Sequence, residues 1–224
     1  MCDLIVLAQY TEDIRWAYRH FARVVTYTKS VGNFGRESSS YLRFIIDSYH
    51  SNHSNTTQVC FSQGEPGRIQ FKRGPIRAPN TISNHQYQPI FNSRKFYFDT
   101  CARPHACLPC LAPIAHSIGL RVPSSAYFGA FFTTSIGNIR KTPSEVWWYL
   151  YNLHYIHPEC NVAFVLERMW QAIMTQSPRL QYNQWRERLT DSRSLLSKLP
   201  NKKCSKKVCT LSSFHNNTFQ NTMW

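Results

Sequence analysis

The chain has 224 residues, 42% hydrophobic and 14% aromatic, enough for one ordinary domain with a sizeable core and a tail. No run approaches the roughly 18 apolar residues of a membrane span, so no transmembrane helix is expected. The formal charge of +14, from 26 basic and 12 acidic residues, favours anionic partners such as nucleic acid, nucleotides or an acidic surface.

"LIVLAQY", from Leu4 to Tyr10, is a continuous apolar run with a polar end, the pattern of a strand buried on both faces. The wider "MCDLIVLAQY" carries Asp3, lacks a basic leader and is broken by Gln9, so it reads as a first strand, not a signal peptide. A cytoplasmic chain is the expectation. "TEDIRWAYRHF" follows, with Thr11 as N-cap and acids in the first turn of a helix. "ARVVTYT", residues 22–28, is β-branched and aromatic, hence a second strand.

"SVGNFGRESSSYLRFIIDSY" comes next. From Glu37, apolar residues fall at Tyr41, Leu42, Ile45, Ile46 and Tyr49, the stripe of an amphipathic helix. Two readings of its start stand side by side. Gly32 and Gly35 supply the turn while Glu37 caps the helix. Alternatively, the turn and helix N–H groups face an anion, with Arg36 adding charge. "TTQVCFS", residues 56–62, is a third strand. Strand and helix thus alternate as in an α/β domain with a mostly parallel sheet. Ligands of such sheets sit at the strands' carboxyl ends, here "YTED", "YTKSVGNFGRE" and "FSQGEPG".

Residues 64–125 are rich in Pro, Asn, Arg and Gly and predict long loops, with one short helix around 107–117. Within them, "CARPHACLPC" gathers Cys101, His105, Cys107 and Cys110, with His116 nearby. A zinc chelate and free loop thiols both fit, and the missing second chelating half favours thiols. All eight cysteines are expected reduced, as in a cytosol-like compartment. Sequons at Asn52, Asn55 and Asn216 carry no weight under that expectation.

"AYFGAFFTTS" predicts a strand from Ala126 to Thr134. "RKTPSEVWWYLYNLHY" begins a helix with Thr142 as N-cap, Pro143 at the first helical position and Glu145 closing a capping box. "PECNVAFVLERMWQAIM" is the next helix. Its stripes Val162, Val165, Met169, Ile173 and Ala163, Leu166, Trp170, Met174 make it apolar on most sides. Glu167 lies among them, either as a general base with a raised pKa or in an ion pair with Arg168 or another Arg. Residues 178–224 hold nine basic and two acidic residues and predict a basic helix followed by a disordered tail. The organisation expected is therefore an α/β domain over 1–177 and a basic segment over 178–224. "NSRKFYF" and the lysine runs suit single-stranded nucleic acid only as charged surface, because no recognition motif accompanies them.

In order, "LAQYTEDIRWA", "VGNFGRESSSYLRFIIDSY", "VCFSQGEPG", "YFGAFFTTSIGNIRKTPSEVWWYL" and "FVLERMWQAIM" resemble a domain-of-unknown-function family of fungi and large DNA viruses. Its members carry an "NVGRE" segment before a tyrosine-containing helix, "QGDP" after a strand and a late "ER-x-W" helix. That family is similar to nucleotide-sugar glycosyltransferases of the GT-A type, which implies a Rossmann-like sheet flanked by helices with a long irregular insertion. By resemblance, Tyr10, Glu12, Asp13, Gly35, Arg36, Glu37, Gln63 and Gly64 line a nucleotide-sugar site. Glu65 of "QGEP" stands where the metal-binding acid would be, for Mn²⁺ or Mg²⁺. Gly129 and Phe132 lie near the sugar, and Glu167, beside Arg168 and Trp170, is the catalytic base. Departures are Glu65 for Asp, Phe34 for Val, "GRIQ" after the turn and no Asp-x-Asp. Arg36 or Arg68 would then supply positive charge at the diphosphate. The implied partners are a nucleotide-sugar donor and a glycan or protein acceptor. The alternatives are a catalytically inactive binding protein of the same fold and a basic nucleic-acid-binding protein.

Overall fold

A computed structural model describes residues 2–29, 35–64, 88–89, 95–97, 110–123, 125–127, 131–157 and 160–180. Its elements in chain order are β1 (Leu4–Gln9), α1 (Arg15–His20), β2 (Val24–Thr28), α2 (Arg36–Ser48), β3 (Gln58–Gln63), β4 (Gln88–Pro89) and β5 (Lys95–Tyr97). There follow α3 (Leu111–Ser117), β6 (Ser125–Tyr127), β7 (Phe132–Ser135), α4 (Ile136–Arg140), α5 (Ser144–Ile156) and α6 (Val162–Gln176).

The fold is α/β. Four main strands run in the order β2-β1-β3-β7, with the two-residue β4 beyond β7. β1 pairs in parallel with β2 (Ile5 opposite Val24) and with β3 (Leu4 opposite Val59). β7 runs antiparallel to β3 (Phe61 opposite Phe132), and β4 antiparallel to β7. The sheet is therefore mixed and flanked by helices, with β2, β1 and β3 parallel and β7 antiparallel, in keeping with the mostly parallel mixed sheet expected.

β1 sits inside the sheet and is apolar on both faces. Leu4, Val6 and Ala8 face a core built with α2, α3, α5 and α6, while Ile5 and Leu7 pack with Ala17 and the partly buried Ile14, Trp16 and Phe21 around α1. This double burial is what the uninterrupted "LIVLA" encodes. Around Tyr41 the larger core is aromatic: its ring centroid lies 5.0 Å from Phe61 and 6.1 Å from both Phe132 and Trp170. Phe61 and Phe132 stack across β3 and β7 at 4.8 Å. Truncating any one of them to Ala would cost about 3–5 kcal/mol.

Several local expectations shift. α1 starts at Arg15, so Thr11 lies in the preceding loop, not at the cap. The N-cap is Ile14, and Asp13, one residue earlier, accepts the Arg15 backbone N–H at 2.9 Å. α5 starts one residue beyond the expected position, with Pro143 at its N-cap and no side-chain cap bond. That slip removes the capping box of Thr142 and Glu145; the buried Thr142 instead offers its carbonyl to the Tyr49 hydroxyl. The strand expected over 126–134 divides into β6, which pairs with β5 in a separate ribbon, and β7 in the main sheet.

Four cysteines are not free thiols. Cys2 is bonded to Cys60 and Cys110 to Cys160, with Cα separations of 5.8 and 5.5 Å. Cys110 thereby leaves the expected Cys/His cluster, whose Cys101, His105 and Cys107 lie outside the described residues. Among the described residues, no helix is long and apolar enough to cross a membrane.

Candidate functional site

The strand order fixes where a site can form. From β1 the chain crosses one face through α1 to reach β2, then the other face through α2 to reach β3 on the far side of β1. β1 thus lies between β2 and β3, with α1 and α2 on opposite faces, and the carboxyl ends of β1 and β3 are where sheets of this order place ligands.

The loop after β1 folds onto its own acid. Glu12 Oε2 accepts the backbone N–H groups of Tyr10 (2.6 Å) and Thr11 (3.2 Å), while Gln9 Nε2 donates to Glu12 O at 2.8 Å. Gly64, just past β3, closes against this loop: its N–H donates to Ala8 O at 2.8 Å and its carbonyl accepts the Trp16 indole at 2.7 Å. A Cβ there would lie 2.9 Å from Glu12 Oε2 and 3.3 Å from Ala8 O, so only glycine fits without displacement. Tyr10 is 41% exposed at the rim, and Gln63 is the last residue of β3. Asp13 is occupied by Arg15, whose guanidinium hydrogen bonds hold the carboxyl down at about 2. The expected nucleotide-side acids are thus present at the strand end, but each already serves its own loop.

The start of α2 supplies positive charge. Gly35 (φ 66°) and Arg36 (φ 46°) are both left-handed. A side chain at Gly35 would meet Ser39 Cβ at 2.7 Å and His154 Nδ1 at 3.1 Å, so glycine is required on conformational and steric grounds. Arg36 bears a left-handed conformation that disfavours side chains by about 1–2 kcal/mol. The N-cap, Gly35, has no side chain with which to cap the opening N–H groups of the helix. The Arg36 guanidinium is 48% exposed, 3.6 Å from the Glu37 carboxylate and 4.6 Å above the Phe164 ring.

Lys29 joins this group, its backbone N–H donating to Gln9 O at 3.0 Å. Burial lowers its ammonium to about 8; Glu37 and Glu12 pull the other way, and Arg36 lowers it further. One lysine thus senses the β1 loop and the α2 start together. His154 of α5 lies behind them. Ser38 Oγ donates to Gly35 O at 2.7 Å and lies 3.1 Å from His154 Nε2, so the imidazole N–H must donate to Ser38. Burial, then the Lys29 charge, lowers His154 to about 4, leaving it neutral at ordinary pH.

Deeper in, Glu37 and Glu167 are each 8% exposed. Both carboxylates act on Tyr41, whose phenol is raised well above its ordinary value chiefly by burial. Arg168 Nη1 lies 3.8 Å from Glu167 Oε2 and donates to Phe164 O at 2.9 Å. The expected ion pair of Glu167 therefore exists, between adjacent residues on one helix.

The structure draws Glu12, Gly35, Arg36, Glu37, Gln63, Gly64 and Glu167 toward the carboxyl end of the sheet, leaves Asp13 with Arg15, and adds Lys29 and His154. Both additions had a faint signal: Lys29 directly precedes the glycine turn, and His154 interrupts an aromatic helix face. Glu65, Arg68 and Gly129 lie outside the described residues. Phe132 is buried in the aromatic core, not on a sugar-facing surface. Among the described residues, no three His, Cys, Asp or Glu side chains gather as metal ligands. Compared with protein-family models, curated proteins and solved structures, the chain matches none.

Proposed function

We propose that this chain is a glycosyltransferase of the GT-A type, moving a sugar from a nucleotide-sugar donor to a hydroxyl of a glycan or protein acceptor. The observation that carries the proposal is the start of the thirteen-residue helix α2, with Gly35 at its N-cap and the Arg36 and Lys29 cations close to one another there. Backbone N–H groups and two cations suit a diphosphate. The nucleoside side lies against Tyr10–Asp13 and Gln63–Gly64. As the bond between sugar and phosphate oxygen breaks, the leaving diphosphate gains charge, which Lys29 and Arg36 stabilise. Glu167, paired with Arg168, takes the proton of the acceptor hydroxyl as its oxygen bonds to the anomeric carbon. Glu65, the candidate ligand for Mn²⁺ or Mg²⁺, lies outside the described residues, and no step is assigned to a divalent ion.

Thermal unfolding with a panel of nucleoside diphosphates, with and without Mn²⁺, tests the donor site. At least one should raise the melting temperature, by mass action on the folded state. Glu167→Gln should keep that shift while turnover falls about 10²–10⁴-fold. No shift with any nucleotide would sink the proposal.

A second reading is a binding protein of the same fold without turnover. It is favoured by one feature, the engagement of Glu12 and Asp13 with their own loop. Nucleotide binding without sugar transfer to any acceptor, unchanged by Glu167→Gln, would select it.

A further inference from the structure

The opposite end of the sheet carries a different kind of site. Between α2 and β3, residues 49–57 form a loop that Arg140 holds in place. Its Nη2 donates to the carbonyls of Ser48 (2.8 Å) and Ser51 (2.9 Å), and its Nη1 to His53 O (3.1 Å) and Asn55 Oδ1 (2.8 Å). Asn52 lies between two of these anchored carbonyls. It is exposed and has no side-chain hydrogen bond among the described residues. It begins the acceptor sequence Asn52-His53-Ser54, and Ser54 is exposed as well.

The second, independent observation is the cysteine pairing. Cys2–Cys60 ties β1 to β3, and Cys110–Cys160 ties the start of α3 to the residues before α6. All four cysteines are buried, at 8%, 1%, 3% and 5% exposure. Paired structural cysteines form and persist in oxidising compartments, the setting in which Asn-x-Ser/Thr sequences are glycosylated.

We infer that Asn52 is an N-glycosylation site and that the chain matures in an oxidising, secretory-type compartment. The amide nitrogen of Asn52 bonds to the anomeric carbon of an oligosaccharide carried on a lipid pyrophosphate. The bond from that carbon to the pyrophosphate oxygen breaks, the lipid pyrophosphate leaves with the electron pair, and the amide proton passes to a base. The fold tolerates the product because Asn52 is exposed and its side chain holds no hydrogen bond among the described residues. Asn55, in the neighbouring sequon, fits less well. Its Oδ1 is held by Arg140, and its Cβ packs 3.1 Å from where a Gly137 side chain would begin. The loop leads into the amino end of β3, whereas the candidate donor site lies at the carboxyl ends of β1 and β3. The inference is independent of the proposed transferase activity.

The test is production of the full chain through a eukaryotic secretory route, read on retained and exported fractions alike. Digestion with an amidase specific for N-glycans should increase gel mobility. With the sequon at Asn216 removed by Asn216→Gln, that change should vanish on adding Asn52→Gln and persist on adding Asn55→Gln. Mapping without reduction should recover Cys2–Cys60 and Cys110–Cys160 as linked peptides. No mobility change, a glycan on Asn55 alone, or alkylation of the four cysteines without reduction would overturn the inference.

Discussion

Arg140 and Arg36 stand at opposite ends of one sheet and spend the same side chain in opposite ways. Arg140 directs its Nη donors at four acceptors of a single loop, three of them backbone carbonyls. Arg36 is half exposed, stacked on Phe164 and only loosely paired with Glu37. A guanidinium whose hydrogens are matched to carbonyls is part of the fold. One kept near a helix start whose N-cap is glycine, with a lysine beside it, retains capacity for an external anion. Residue type says nothing of this difference; the geometry of the surrounding acceptors does.

The largest expected effect tests the structural arginine. Arg140→Ala should lower stability by about 2–4 kcal/mol in urea unfolding, because several carbonyls lose a charged donor together. The nucleotide-induced shift should survive in the folded protein. A loss below about 1 kcal/mol would mean that the loop at residues 49–57 does not depend on this anchor.

Arg36→Ala should do the reverse. Stability should change by less than about 1 kcal/mol, since the pair with Glu37 is long and half exposed. Nucleoside diphosphate affinity should fall about tenfold or more, measured by calorimetry, the equivalent of about 1.4 kcal/mol. Equal effects of the two substitutions on stability would erase the contrast between the two ends.

A smaller effect comes from pH. Lys29 titrates in the fold at about 8, below its ordinary 10.5. Between those values the folded state holds fewer protons than the unfolded one. Charged Lys29 therefore opposes folding below about 8, and that opposition fades as pH rises toward 10.5. Anion affinity should move the other way, declining as pH climbs through about 8, and Lys29→Gln should flatten that profile. A wild-type profile flat over this range would remove Lys29 from the site.

The smallest effect concerns Tyr41. Its hydroxyl is buried with no hydrogen-bond partner among the described residues, although Glu37 and Glu167 act on it. Tyr41→Phe should leave stability within about 0.5 kcal/mol or raise it, because an unmatched buried hydroxyl is removed. A loss above about 1 kcal/mol in urea unfolding would mean the hydroxyl links the two carboxylates.

Much of the scaffold was legible in periodicity. β1 was marked by uninterrupted apolar residues, α2 by the stripe through Tyr41, Ile45 and Tyr49, and α6 by two apolar stripes. These signals are local, and burial of the same residues honours them. Cap positions were less legible. A one-residue slip at Pro143 turns a capping box into an unused sequence, and Thr11 lost the cap position to Ile14 because the helix began later. Of the candidate site, Gly35, Arg36 and Glu37 were readable from the glycine turn before the stripe. Lys29 and His154 left only a faint signal, since neither belongs to a motif and their neighbours lie far along the chain.

Alternation of strand and helix alone determined the α/β class, the buried first strand and the position of the strand-end loops. Only the tertiary structure decided that β7 runs antiparallel, because β7 reads the same in either direction. Only it joined Cys2 to Cys60 and Cys110 to Cys160, overturning the expectation of reduced thiols at those four positions. Cysteine spacing cannot specify connectivity, whereas the fold brings Cys2, just before β1, to a Cα separation of 5.8 Å from Cys60 of β3, within bonding reach. And only it separated an arginine that holds a loop from one left half exposed over Phe164 at a helix start. The acceptors that make the difference are backbone carbonyls, which every sequence contains and none displays.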